Sequence, residues 1–100
     1  PPMDKPRQHT RHGLTAEYRN ADIYLSARMP CETPLSLATE KSAQLYALLF
    51  LACDNAEAGV FGDLNAEIQN RVLTLAAGLA HEAMVLSELA AQCEAEAPAA

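Results

Sequence analysis

Residues 45–53 read LYALLFLAC, nine apolar side chains in succession. A helix through this stretch is apolar on every side, so it has to be covered on every side. A Leu or Phe left in water forgoes roughly 1.5–3 kcal/mol. A small domain holds only about 5–15 kcal/mol of stability in all. This run therefore fixes how many neighbours the chain must find, and one packed helix covers only roughly a third of another's circumference.

The flanking residues make the run part of a helix. In PCETP (30–34), Met29 and Thr33 each precede a proline, which pushes them out of the helical basin. Thr33 then serves as N-cap with Pro34 at the first helical position. Good helix formers follow, and Gly59 is a natural stop, so the spacing predicts a helix over 34–58. GVFGD (59–63) reads as a turn in which Val60 and Phe61 fold back to close a hairpin. Asp63 is the expected cap of a second helix over 64–93. In it Ile68, Val72, Leu75, Leu79, Leu86 and Leu89 form a heptad-like stripe that skips Glu82, a dimer or hairpin seam. Ala76, Ala77, Ala80, Ala83, Ser87, Ala90 and Ala91 form a second stripe whose small side chains allow close approach of another helix. EAEAPAA (94–100) is an acidic tail expected to fray.

The N-terminal third is less regular. PPMDKPRQHTRHG (1–13) reads as a flexible basic arm, with His9 and His12 solvated rather than metal-binding. Over 14–29 two patterns compete. Leu14, Tyr18, Ala21 and Leu25 fall on a helical stripe, whereas Ile23, Leu25 and Ala27 alternate with Tyr24, Ser26 and Arg28 as in a strand. A helical turn over 15–21 is preferred, followed by an extended piece or a second short helix. Leu and Ala far outnumber Val, Ile and Thr across the chain, which favours helix over sheet. The expectation is one all-α domain over 14–93. Its architecture is a hairpin of two long helices plus a short N-terminal segment, and two copies pair into a four-helix core that covers the apolar run.

Charge and chemistry narrow the function. Residues 1–28 carry five basic against three acidic side chains, a balance of +2. Residues 29–100 carry Lys41 and Arg71 against ten carboxylates, a balance of −8, so the body of the chain repels phosphate backbones and direct nucleic-acid binding is not expected. Cys31, Cys53 and Cys93 are odd in number and fit no metal spacing; they read as reduced thiols of a cytoplasmic protein, with Cys53 an inert small hydrophobe. No signal peptide is visible, and no segment is expected to span a membrane. HEAMV (81–85) opens like a zinc-protease helix, but Val85 stands where the second His is needed. No phosphate-binding loop, dinucleotide fingerprint or nucleophile elbow occurs, so no catalytic residue, metal or cofactor is assigned and an enzyme is not expected.

Two segments carry a resemblance, YLSARMPCETPLSLATEKSAQLYALLFLA (24–52) and VLTLAAGLAHEAMVLSELA (72–90). The chain resembles, over about residues 20–92, a group of small helical pseudomonad proteins that includes a quorum-sensing antiactivator. Met29 replaces the glycine usual before the proline in that group. The resemblance implies a small helical homodimer that binds a LuxR-type transcription factor at its ligand-binding domain and blocks the factor's own dimerisation. A receptor that cannot dimerise cannot hold both half-sites of a palindromic promoter. Contact is then expected at Tyr46, Leu49, Phe50, Val60 and Phe61. The alternatives are a helical dimeric scaffold or chaperone for another protein client, and a repressor that lays its basic arm on DNA.

Overall fold

The computed structural model describes residues 5–53 and 60–97, and it divides the chain into two units between Glu32 and Thr33. The first unit overturns the all-α expectation. It is a three-stranded antiparallel sheet in the order β1-β2-β3, made of β1 (Arg7–Arg11), β2 (Leu14–Arg19) and β3 (Asp22–Ala27). The stretch expected to be a flexible arm supplies β1, and the helical turn expected over 15–21 is replaced by β2 and the Asn20–Ala21 loop, with β3 following where an extended piece or a second short helix was expected.

Two-residue loops make this sheet possible. His12 and Gly13 have φ of 51° and 81°, and Asn20 and Ala21 have φ of 53° and 67°. Positive φ at both central residues matches the right-handed twist of the flanking strands, which is why such loops close hairpins. Gly13 also lets the chain close up, since its carbonyl accepts from the Arg28 amide at 2.7 Å. A Cβ on Gly13 would lie 3.3 Å from the Arg28 carbonyl oxygen. Ala21 has no such aptitude, because left-handed φ costs an alanine roughly 1–2 kcal/mol. Ala21→Gly is therefore expected to stabilise the sheet by about 0.5–1 kcal/mol once glycine's greater freedom in the unfolded chain is subtracted. Amide exchange along β2 and β3 should slow by about two- to fivefold.

The register separates the sheet into two unlike faces. Leu14 pairs with Ala27, Ala16 with Leu25 and Tyr18 with Ile23, so these six apolar side chains share one face. Arg7, His9 and Arg11 lie opposite Tyr18, Ala16 and Leu14 and complete that face. The other face is polar. Thr10 and Thr15 hydroxyls hydrogen-bond at 2.8 Å, and the Arg19 guanidinium lies 5.1 Å from the Tyr24 ring centre and 3.9 Å from Glu17.

The second unit is helical: α1 (Pro34–Ala52), α2 (Val60–Asp63) and α3 (Ala66–Glu96). Thr33 caps α1 as its sequence implies. Its side chain accepts from the Ser36 amide at 3.0 Å while the Ser36 hydroxyl accepts from the Thr33 amide at 2.9 Å, with Pro34 in the first turn. Thr33→Ala should cost about 1 kcal/mol of helical-unit stability, measurable as a lower denaturant midpoint at unchanged slope. Helix α1 ends at Ala52 rather than Ala58, and the expected stop at Gly59 lies outside the described residues. Helix α3 is capped by Asn65, whose side chain accepts from the Ile68 amide at 2.9 Å, and not by Asp63, which closes α2. It runs on to Glu96, into the tail expected to fray.

Helices α1 and α3 pack antiparallel: Leu48 and Ala52 near the end of α1 line one groove with Val72 near the start of α3, while Lys41 near the start of α1 meets Glu82 further along α3. The inward residues of α3 are Gln69, Val72, Ala76, Leu79, Ala83, Leu86 and Ala90, spaced three and four apart throughout. Their counterparts on α1 include Ala38, Lys41, Leu45, Leu48 and Ala52. The two most enclosed side chains are alanines, Ala38 at 4% and Ala76 at 7% exposure. Small side chains therefore set the closest approach of the helices. The two stripes expected to be separate faces are interleaved here. Val72, Leu79 and Leu86 alternate with Ala76, Ala83 and Ala90 in one seam, while Ile68, Leu75 and Leu89 stay exposed.

Candidate protein-docking surface

The apolar run ends α1, and most of it stays uncovered. Leu45, Leu48 and Ala52 turn toward α3, whereas Tyr46, Leu49, Phe50 and Leu51 remain exposed, Phe50 at 68% and Leu51 at 77%. Tyr46 and Phe50, one turn apart, stack their rings at 6.1 Å between centres with a 36° tilt. Four large apolar side chains on one helix end are unlike scattered surface hydrophobes, which need no explanation.

Helix α2 extends this surface. Val60, Phe61 and Leu64 join Leu48, Leu51, Ala52 and Val72 around a groove of about 360 Å³. Gln69 holds the α2 side of the groove in place. Its side-chain amide donates to the carbonyls of Phe61 at 3.0 Å, Leu64 at 2.9 Å and, more weakly, Gly62 at 3.3 Å. The Phe61 carbonyl also accepts from the Leu64 amide at 3.1 Å, and the Gln69 bonds tie the short helix to the start of α3. Of the five residues expected to meet a partner, Tyr46, Leu49 and Phe50 thus lie on the α1 end, and Val60 and Phe61 lie on the groove wall. Leu51 and Leu64 were not singled out from the sequence. Their signal was present in the apolar run and in the residue after Asp63, but nothing local says which side of α1 the seam takes.

Charge is placed with equal economy. The ammonium of Lys41 meets Glu82 at 3.1 Å across the two helices. Glu82, the residue that interrupts the bulky stripe, is therefore already matched by a cation of the neighbouring helix. Helix α3 is, against expectation, long and apolar enough by length and composition to cross a membrane. Every 18-residue stretch of it contains Glu82. A carboxylate at the centre of such a span would cost about 2.5–3.5 kcal/mol in hydrocarbon, whereas the seam gives Val72, Leu79 and Leu86 a helix to pack on.

The cysteines are free, and Cys31, Cys53 and Cys93 are all exposed, so Cys53 is not the buried hydrophobe its setting suggests. It stands at the end of α1 with an extended backbone. His81 is exposed on α3, and His9 and His12 lie on β1 and in the first hairpin loop. Among the described residues no three His, Cys, Asp or Glu side chains converge on a metal-sized site. No protein-family model, no curated protein and no solved structure matches the chain.

Proposed function

We propose that this chain is a non-enzymatic antiactivator. It binds a LuxR-type quorum-sensing transcription factor at the ligand-binding domain, blocks that factor's dimerisation and so prevents its DNA binding. The observation that carries the reading is the exposed apolar end of α1, with Tyr46, Phe50 and Leu51 beside the groove walled by Val60 and Phe61. A surface of aromatic and aliphatic anchors beside a preformed groove suits capture of a protein partner by burial, without turnover. The choice of client rests on the resemblance to the pseudomonad group.

The protein acts in the cytoplasm as a homodimer, and the α3 stripe left outside the seam supplies the pairing face. Ile68, Leu75 and Leu89 lie seven or fourteen residues apart along that flank and are all exposed. Glu82 between Leu75 and Leu89 is paired with Lys41, so covering the stripe leaves no lone charge. The dimer so formed does not cover the apolar run, as the four-helix core expected from the sequence would, and the α1 end stays free for the receptor.

The test is titration of the protein into a receptor–promoter complex, read by electrophoretic mobility. Promoter occupancy should fall in proportion to added protein and vanish near molar equivalence with the receptor. Full occupancy at a large excess of protein would overturn the proposal.

A further inference from the structure

The sheet carries a second surface that the antiactivator reading does not use. On its apolar face Leu14, Tyr18, Ile23 and Leu25 are exposed, Ile23 at 67% and Leu25 at 68%. A single layer of three strands has no second layer of its own to cover them. The charges are segregated with the apolar residues. Arg7, His9 and Arg11 lie on this face, while the sheet's carboxylates, Glu17 and Asp22, belong to the other. A hollow of about 170 Å³ on the sheet is lined by Arg7, His9, Ala16, Tyr18 and Ile23 of this face, and by Gln8 and Glu17 between them.

We propose that this face docks an amphipathic helix of a protein partner, one whose apolar stripe is bordered on one side by carboxylates. Charge complementarity selects this occupant. The apolar stripe lies over β2 and β3, and the acidic border lies along β1. The spacing fits as well. Alternate residues of a strand are about 6.6 Å apart, so Arg7, His9 and Arg11 make a row of roughly 13 Å. Carboxylates at i, i+4 and i+8 of a helix are about 6 Å apart and span about 12 Å. Each arginine can then meet one carboxylate in a charge-assisted hydrogen bond. The same face of a second copy is a poor fit. Stacking two such sheets sets the basic row against either its own equivalent or the Ile23–Leu25 row. A phosphate backbone fits poorly too, because most of the face offers it no donor.

The probe is a fluorescein-labelled 18-residue helix with a leucine stripe and Glu at i, i+4 and i+8 on one border, measured by anisotropy against the full chain. A second peptide carries Lys at those three positions. The Glu peptide should bind, with affinity falling as salt rises, and the Lys peptide should not. The double variant Arg7→Gln/Arg11→Gln and the single variant Leu25→Thr should each weaken binding by about tenfold or more. Ser26→Ala, on the polar face, should leave it unchanged. All these residues are exposed, and circular dichroism of each variant should overlay that of the parent. Equal binding of both peptides, or binding of neither, would overturn the proposal. So would capture of duplex DNA or anionic vesicles by this face in preference to the Glu peptide. None of these outcomes depends on the receptor.

Discussion

Ala76→Leu is expected to destabilise the helical unit by about 1–3 kcal/mol, while Ala77→Leu leaves it within about 0.5 kcal/mol. The two alanines are neighbours in sequence, but only Ala76 is buried against α1. A leucine there has to push α1 and α3 apart along the whole seam, because Ala38 and Ala76 set the distance at which Val72, Leu79 and Leu86 interlock. At position 77 the same side chain stands in solvent. Chemical denaturation of the two variants separates the cases. Equal midpoints for both would mean that the seam does not run through Ala76.

The second large effect concerns binding rather than folding. Phe50→Asp should leave the denaturation midpoint within about 0.5 kcal/mol of the parent, because Phe50 is two-thirds exposed and phenylalanine and aspartate have similar helix propensities. Partner affinity should fall by about 2–4 kcal/mol, a loss of roughly 30- to 1,000-fold, as for an aromatic anchor at the centre of an interface. Isothermal titration with the receptor's ligand-binding domain measures it directly. A collapse of stability instead would place Phe50 in a core that only the homodimer completes.

What the sequence disclosed follows from how local each signal is. The start of α1 was legible because Thr33, Pro34 and Ser36 act within one turn. The existence of a helical hairpin was legible because good helix formers and apolar periodicity persist over many turns. The alternation of Ile23, Leu25 and Ala27 marked β3, but the sheet as a whole was hidden for two reasons. Composition taken over the whole chain is dominated by the Leu- and Ala-rich helices, which masks the Thr, Tyr and Ile gathered between Thr10 and Tyr24. The second hairpin loop also uses Ala21 at a left-handed φ, where the usual glycine would have announced a turn. The loop His12–Gly13 did carry a glycine signal, but it was absorbed into the apparent arm.

The seam shows a different limit. The heptad stripe of α3 was legible, yet its six members divide between two roles, Val72, Leu79 and Leu86 inside and Ile68, Leu75 and Leu89 outside. Both sets repeat every seven residues, so periodicity cannot choose between them. The choice is made by α1, whose Lys41 meets Glu82 and whose Ala38 admits close packing. The exposed residues of the α1 end follow from the same choice. Once Leu45, Leu48 and Ala52 face α3, the geometry of a helix turns Tyr46, Leu49, Phe50 and Leu51 outward.

Gel filtration with light scattering tests the central claim most directly. The protein is run alone, then with the ligand-binding domain of a LuxR-type receptor. The account predicts a dimer mass alone and a new co-eluting species whose mass gives the stoichiometry, and that species should be lost with Phe50→Asp. Separate elution of the two proteins at micromolar concentration would contradict the antiactivator assignment, and a monomer mass would contradict the pairing through Ile68, Leu75 and Leu89.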